Sequence, residues 1–344
     1  MKQVEHEVYL GDTVSADLSN NRNIEKRCNQ SIGTISEIMI ILKQISKGYF
    51  YFNIGLIMRE SILLTKLLLN RKAWTNITKQ QVLSLEKSDR ANLIRFVNGH
   101  SRINEEILDG ELCTTPIRYL LMQKRLMYLW HILQRDENEL IKRVYLAQKY
   151  CTSKLDWYNQ IVKDKSELDI HLKDIQINEC SKEAFKKFVK YKVNVKRKQY
   201  LSFLQSQKSK SKHFVFGDKP ASYLTDQRFS KEQAEMLLTL RSKTYQTKSN
   251  FCYNYKQENE LLCDLCKLYP CSQIHILQCP EIVPLTQNNT YNTAKNPEMI
   301  YGNVDQQLII VKVYQEYITI RERLLSEQCS TQSRNTLDLR VVSA

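Results

Sequence analysis

Residues 263–279 carry three cysteines and one histidine spaced Cys263-x2-Cys266-x8-His275-x3-Cys279. A Cys-x2-Cys puts two sulfurs on one tight turn, close enough to grip a single ion. Zn2+ takes four soft or borderline ligands in a tetrahedron, and a histidine and a cysteine on a short following helix complete it. The stretch His275-Ile276-Leu277-Gln278-Cys279 suits that helix. Its apolar residues would cap the site while His275 and Cys279 face the ion. Cys271 is a rival fourth ligand; His275 is preferred because it lies a single helical turn from Cys279. The alternative is a set of reduced cysteines holding no metal. A small zinc site over roughly 251–283 is therefore expected, with Cys263, Cys266, His275 and Cys279 as ligands.

The rest of the chain points to helices. It has only 8 Gly and 6 Pro in 344 residues, and 42% of its residues are apolar. That composition favours a mostly α fold with short connections and enough apolar surface for cores. The ten cysteines would suit disulfides only in an oxidising compartment. The start, MKQVEHEVYL, has no apolar signal core, so a reducing nucleus or cytoplasm is expected rather than secretion. Apolar runs such as 38–42 and 62–69 are too short to span a bilayer. No membrane partner is expected.

Along the chain, Val8–Leu10 and Thr13–Ser15 flank Gly11-Asp12 as a short hairpin, assigned to 1–18. A helical bundle is expected over 19–150. Ile24, Cys28, Ile35, Ile38, Leu42 and Ile45 mark one buried face. The run Tyr49–Leu69 is apolar nearly all round and reads as a central helix. Thr78 caps a third helix that Gly99 stops. Thr115-Pro116 opens another, with Ile117, Leu120, Leu121, Met127, Trp130 and Leu133 inward and Arg118, Lys124 and Arg125 outward. A basic helical connector is expected over 151–250, with little core in its first part. A loop and a C-terminal helix follow over 284–328, the helix beginning at Val304, and the tail 329–344 is expected to be disordered.

Net charge is +14, and most of it sits in one place. Residues 182–212 hold eleven Lys/Arg against the single acid Glu183, a local balance of +10. Phe185, Phe188, Val189, Val193, Tyr200 and Leu204 recur through it at helical spacing. That is an amphipathic helix with a basic outer face, suited to tracking phosphates. Lys186, Lys187, Lys190, Arg197 and Lys198, with Lys124 and Arg125 from the bundle, are the expected contacts to RNA or DNA. The aromatic residues fit core packing better than base stacking.

Three stretches resemble one family in its own order. Tyr9-Leu10-Gly11-Asp12 with Ser15, Asn23-Ile24 and Arg27 is similar to the hairpin and first thumb helix after the palm of non-LTR retrotransposon reverse transcriptases. Thr115-Pro116-Ile117-Arg118 with Arg125–Leu129 resembles a later helix pair. The Cys263–Pro280 stretch resembles their C-terminal zinc knuckle. The resemblance implies a primer-grip-like hairpin, a thumb-like bundle, a basic connector and a knuckle that binds single-stranded or template RNA. It also implies two adjacent palm aspartates for metal-assisted nucleotidyl transfer. This chain has no Asp-Asp pair anywhere. No catalytic residue is assigned. The expectation is a truncated, non-catalytic, nucleic-acid-binding relative. The alternatives are a helical protein-interaction module with a structural zinc site, and the C-terminal part of an active polymerase encoded upstream.

Overall fold

The computed structural model describes residues 6–9, 12–15, 20–69, 77–150, 156–171, 180–208, 214–254, 257–282 and 297–341. Among these the chain is mostly helical. Gly11 of the expected N-terminal hairpin turn Gly11-Asp12 lies outside the described residues, as does the polar loop 283–296. No described helix is long and apolar enough to cross a membrane.

The chain forms two compact units, one of residues 1–45 with 50–221 and one of residues 46–49 with 222–344. This division falls at neither 150 nor 250. The stretch expected to be a connector with little core supplies half of a core instead.

In the first unit α1 (Asn21–Leu42) packs against α3 (Lys79–Phe96). Ile24, Ile35, Ile38 and Leu42 are buried at the expected spacing. Thr78 caps α3 in a full capping box: its hydroxyl accepts from Gln81 N at 3.2 Å, and its own N–H donates to Gln81 Oε1 at 2.9 Å. The stop differs from expectation. Asn98, not Gly99, takes the left-handed conformation, with φ 48°. Its N–H reaches Arg95 O, and Gly99 N reaches Ile94 O at 2.9 Å, closing a Schellman end.

The central helix α2 (Gly48–Met58) passes through a π-helical turn at Arg59–Leu63 and resumes at Leu64–Leu67. It is not buried all round as its composition suggested. Tyr51, Phe52, Leu63 and Leu67 are buried, but Phe50, Ile54 and Ile57 are exposed. At Gly55 a Cβ would collide with the Phe96 ring, so glycine permits that close approach.

Short α4 (Glu105–Glu111) leads to α5 (Ile117–Leu133), then α6 (Leu140–Lys149), α7 (Trp157–Glu167) and α8 (Lys182–Ser206). Asp156 and Ser181 cap the last two through backbone N–H groups at 2.8 and 3.2 Å. On α8 the positions Phe185, Val189, Val193, Arg197 and Leu201 are buried, one every four residues. Phe185, Val189 and Val193 share a core with Leu126, Leu129 and Ile132 of α5 and Trp157 and Ile161 of α7.

The second unit contains α9 (Ser222–Thr225), α10 (Lys231–Arg241), α11 (Gln273–Gln278) and α12 (Val304–Val341). Ser230 and Gln233 form a capping box at the start of α10. The tail expected to be disordered continues as helix to Val341. Residues 329–341 contain no glycine or proline to stop it.

Candidate metal centre and candidate nucleic-acid interface

The metal-ligand spacing folds as a knuckle. Leu262 and Pro270 bridge as antiparallel partners, Cys263 N donates to Tyr269 O at 2.8 Å, and Cys271 N donates to Leu261 O at 2.8 Å. Between them Lys267 N reaches Cys263 O at 3.0 Å, with Lys267 at φ 55°. This turn holds Cys263 and Cys266 together. Ser272 then caps α11 by accepting from His275 N at 3.0 Å. His275 sits in the first turn of that helix and Cys279 at its C-terminal cap, so one helical turn brings both onto the knuckle.

The ligand atoms of Cys263, Cys266, His275 and Cys279 all lie within 4.8 Å of one another. Cys263 Sγ and Cys279 Sγ are 3.9 Å apart, and Cys266 Sγ and His275 Nε2 are 3.3 Å apart. Metal–ligand bonds of about 2.3 Å to sulfur and 2.0–2.1 Å to nitrogen at tetrahedral angles require separations of about 3.8 and 3.6 Å. The donors present therefore fit a tetrahedral ion such as Zn2+. Cys271, the rival ligand, stands outside the cluster and faces Tyr317 Oη at 3.3 Å.

Burial and hydrogen bonding shift three of the four donors. Burial holds the His275 imidazole below its ordinary pKa, so it presents a neutral ring. Burial pushes the Cys279 thiol up to about 12. A hydrogen bond with Cys271, and then burial, push Cys263 up as well. Both hold their protons at neutral pH until a cation displaces them, as a zinc-bound thiolate requires. Asp264, inside the Cys-x2-Cys, was not anticipated. Burial opposes its charge, but hydrogen bonds from Lys248 Nζ (2.6 Å) and Arg321 Nε (2.8 Å) prevail and hold the carboxyl below the ordinary range. These bonds tie the turn to α12 and to the segment before the knuckle. Cys263, Cys271, Ile276, Leu277 and Cys279 also share a core with Ile310, Val313, Tyr314 and Tyr317 of α12.

The basic residues separate into two groups. Lys124, Lys186, Lys187 and Lys190 line one cleft of the first unit, about 650 Å³ in volume. Lys186, Lys187 and Lys190 are exposed and make no ion pair among the described residues. Other cations are engaged within the fold. Lys196 pairs with Asp169 at 2.7 Å, Lys198 with Asp218 at 2.8 Å, and Lys208 with the buried Glu106 at 3.0 Å.

Two of the arginines expected on the outer face are core residues. Arg125 is 2% exposed and forks onto Asp164 of α7, with Nε and Nη2 at 2.6 and 2.8 Å. Arg197 is 1% exposed. Its long stem fills the position where α8 needs an inward residue. Arg125 lines a smaller cavity beside Asp164, and Arg197 lines the cleft of the α8 lysines. Tyr191 and Asn194 line the same cleft and were missed. Their spacing from Lys186, Lys187 and Lys190 was the available signal, because all five share one side of the helix.

No family model matches the chain, and neither does any curated protein or solved structure.

Proposed function

We propose that this chain is a non-catalytic nucleic-acid-binding protein with a structural Zn2+ in its knuckle, related to the post-palm part of non-LTR retrotransposon reverse transcriptases. The observation that carries the binding reading is the sorting of lysines on α8. Lys186, Lys187 and Lys190 are left without acidic partners and face one cleft with Lys124, while their neighbours are paired internally. Exposed cations gathered on one wall attract a polyanion and release its counterions on binding. Contacts of this kind hold the backbone without reading sequence. Zn2+ is supported by the donor set and its separations. Its role is structural, because all four positions are protein ligands and none stays open for substrate. The lack of an Asp-Asp pair supports the non-catalytic part of the reading.

The experiment is a binding titration of labelled RNA and DNA across a salt series. Affinity that falls steeply with salt supports the reading, and affinity indifferent to salt opposes it. A second reading, a protein-interaction module, is favoured by the exposed apolar stripe Phe50, Ile54 and Ile57 on α2. An acidic protein partner bound in place of nucleic acid would support that one.

A further inference from the structure

Arg59, Arg118 and Arg125 each fork onto a carboxylate, of Asp89, Glu86 and Asp164 respectively. Arg197 does not. Its Nε donates to Asn194 Oδ1 at 3.2 Å and its Nη2 to the carbonyl of Gly217 at 2.7 Å. Both partners are neutral. Its Nη1 is buried and has no hydrogen-bond partner among the described residues, which is also true of Arg125 Nη1. Buried polar groups in folded proteins nearly always have one, and an orphan at a cavity wall marks a place for a ligand, ion or water. The guanidinium is also held from two sides, so its unpartnered donor has a fixed place.

The cleft that Arg197 lines supplies what such a donor lacks. Lys186, Lys187, Lys190 and Lys124 stand on the same wall. The acids there are Glu60 and Asp218. Asp218 is already bound to Lys198 at 2.8 Å and accepts from the Asn194 amide. The excess charge is positive, and a guanidinium with no carboxylate partner favours a phosphate beside it. Beside Lys190 stands Tyr191, 64% exposed, whose ring makes no aromatic contact among the described residues. The volume of about 650 Å³ is that of a small-ligand pocket, which typically runs about 300–1,000 Å³. It has room for one or two nucleotides.

We infer that this cleft binds a single-stranded nucleic acid, with one backbone phosphate on Arg197 and the α8 lysines and a neighbouring base stacked on Tyr191. The inference rests on the nucleic-acid reading above and narrows it from any polyanion to an unpaired strand. Stacking on an exposed ring tolerates any base, so the site tracks a strand without reading it.

The test uses the full zinc-loaded chain and fluorescence anisotropy with a labelled uridine oligonucleotide and a blunt RNA duplex of equal length. Wild type should prefer the single strand. Tyr191→Ala, at an exposed position that leaves the core intact, should weaken single-strand binding by about 5- to 150-fold, the range for one lost base stack, and leave duplex binding unchanged. Arg197→Lys keeps the charge but loses the fork, and should weaken single-strand binding in protein shown by its melting curve to be folded. Duplex preference, or a silent Tyr191→Ala, overturns the single-strand site; the wider reading survives if binding still falls with salt. Salt-insensitive or absent binding of both ligands overturns both.

Discussion

The two units bury polar groups in opposite ways. In the first, two buried arginines meet counter-charges inside the fold, Arg59 with Asp89 and Arg125 with Asp164, and Arg197 is the exception. In the second, the buried polar cluster is four metal-ligating side chains converging on one point. The first unit closes on itself through helix packing. The second surrounds a group that could hold a metal ion. The difference teaches where each unit's stability would reside with the proposed Zn2+: in internal ion-pair geometry and apolar packing for one, and in an external ion for the other.

Removing the metal should break this comparison most visibly. Structural zinc contributes on the order of 10–16 kcal/mol of apparent binding energy in small zinc domains. A chelator should therefore abolish hydrogen-exchange protection through 257–282 and the α12 residues packed on them, while 79–133 and 182–206 keep theirs. Equal loss in both units, or in neither, would remove the distinction.

The next largest effect belongs to the first unit. Arg125→Ala leaves Asp164 charged and buried, and should cost about 3–5 kcal/mol in urea unfolding. Replacing both partners, Arg125→Met with Asp164→Leu, should recover most of that loss. Metal content should stay unchanged throughout, which separates the two kinds of burial directly.

A third prediction concerns Asp109, where burial raises the carboxyl to about 7 against a hydrogen bond from Thr114. Asp89 and Glu105 push the same way as burial, and Arg59 opposes them. The folded state holds this proton more tightly than the unfolded chain. The stability so conferred is complete below pH about 4 and is lost as pH rises through about 7, an upper bound of about 4 kcal/mol by linkage. Asp109→Asn should flatten the urea midpoint of the first unit between those limits. An unchanged pH profile would show that Asp109 ionises as it does in water.

The smallest effect sharpens the ligand set. Cys271 lies outside the cluster, so Cys271→Ser should keep one metal per chain and cost about 1 kcal/mol. Cys263→Ser should lose the metal. Loss of metal from both would restore Cys271 as a ligand.

The parts of this molecule legible in sequence are those governed by local rules. The Thr78 cap and the Cys263–Cys279 spacing depend on residues near one another in sequence, and each falls where it was expected. The misreadings come from partners distant in sequence. Arg125 looked like a surface residue because its carboxylate is 39 positions away. Arg197 belonged to a run of basic residues, and only the four-residue periodicity of Phe185, Val189, Val193 and Leu201 placed it inward. The apolar run of α2 gave no sign that Phe50, Ile54 and Ile57 would remain exposed, since composition does not say how many faces find neighbours. Asp264 carried no signal, because Lys248 and Arg321 reach it from either side of the knuckle.

The central claim is that the lysines left unpaired on α8 bind a nucleic-acid backbone. Its most direct test is the slope of log affinity against log salt for single-stranded RNA, in wild type and in Lys186→Ala/Lys187→Ala/Lys190→Ala. At about 0.7 per phosphate contact on a single strand, the triple variant should flatten the slope by about 2. A wild-type slope near zero, or the same slope in both proteins, would contradict the account.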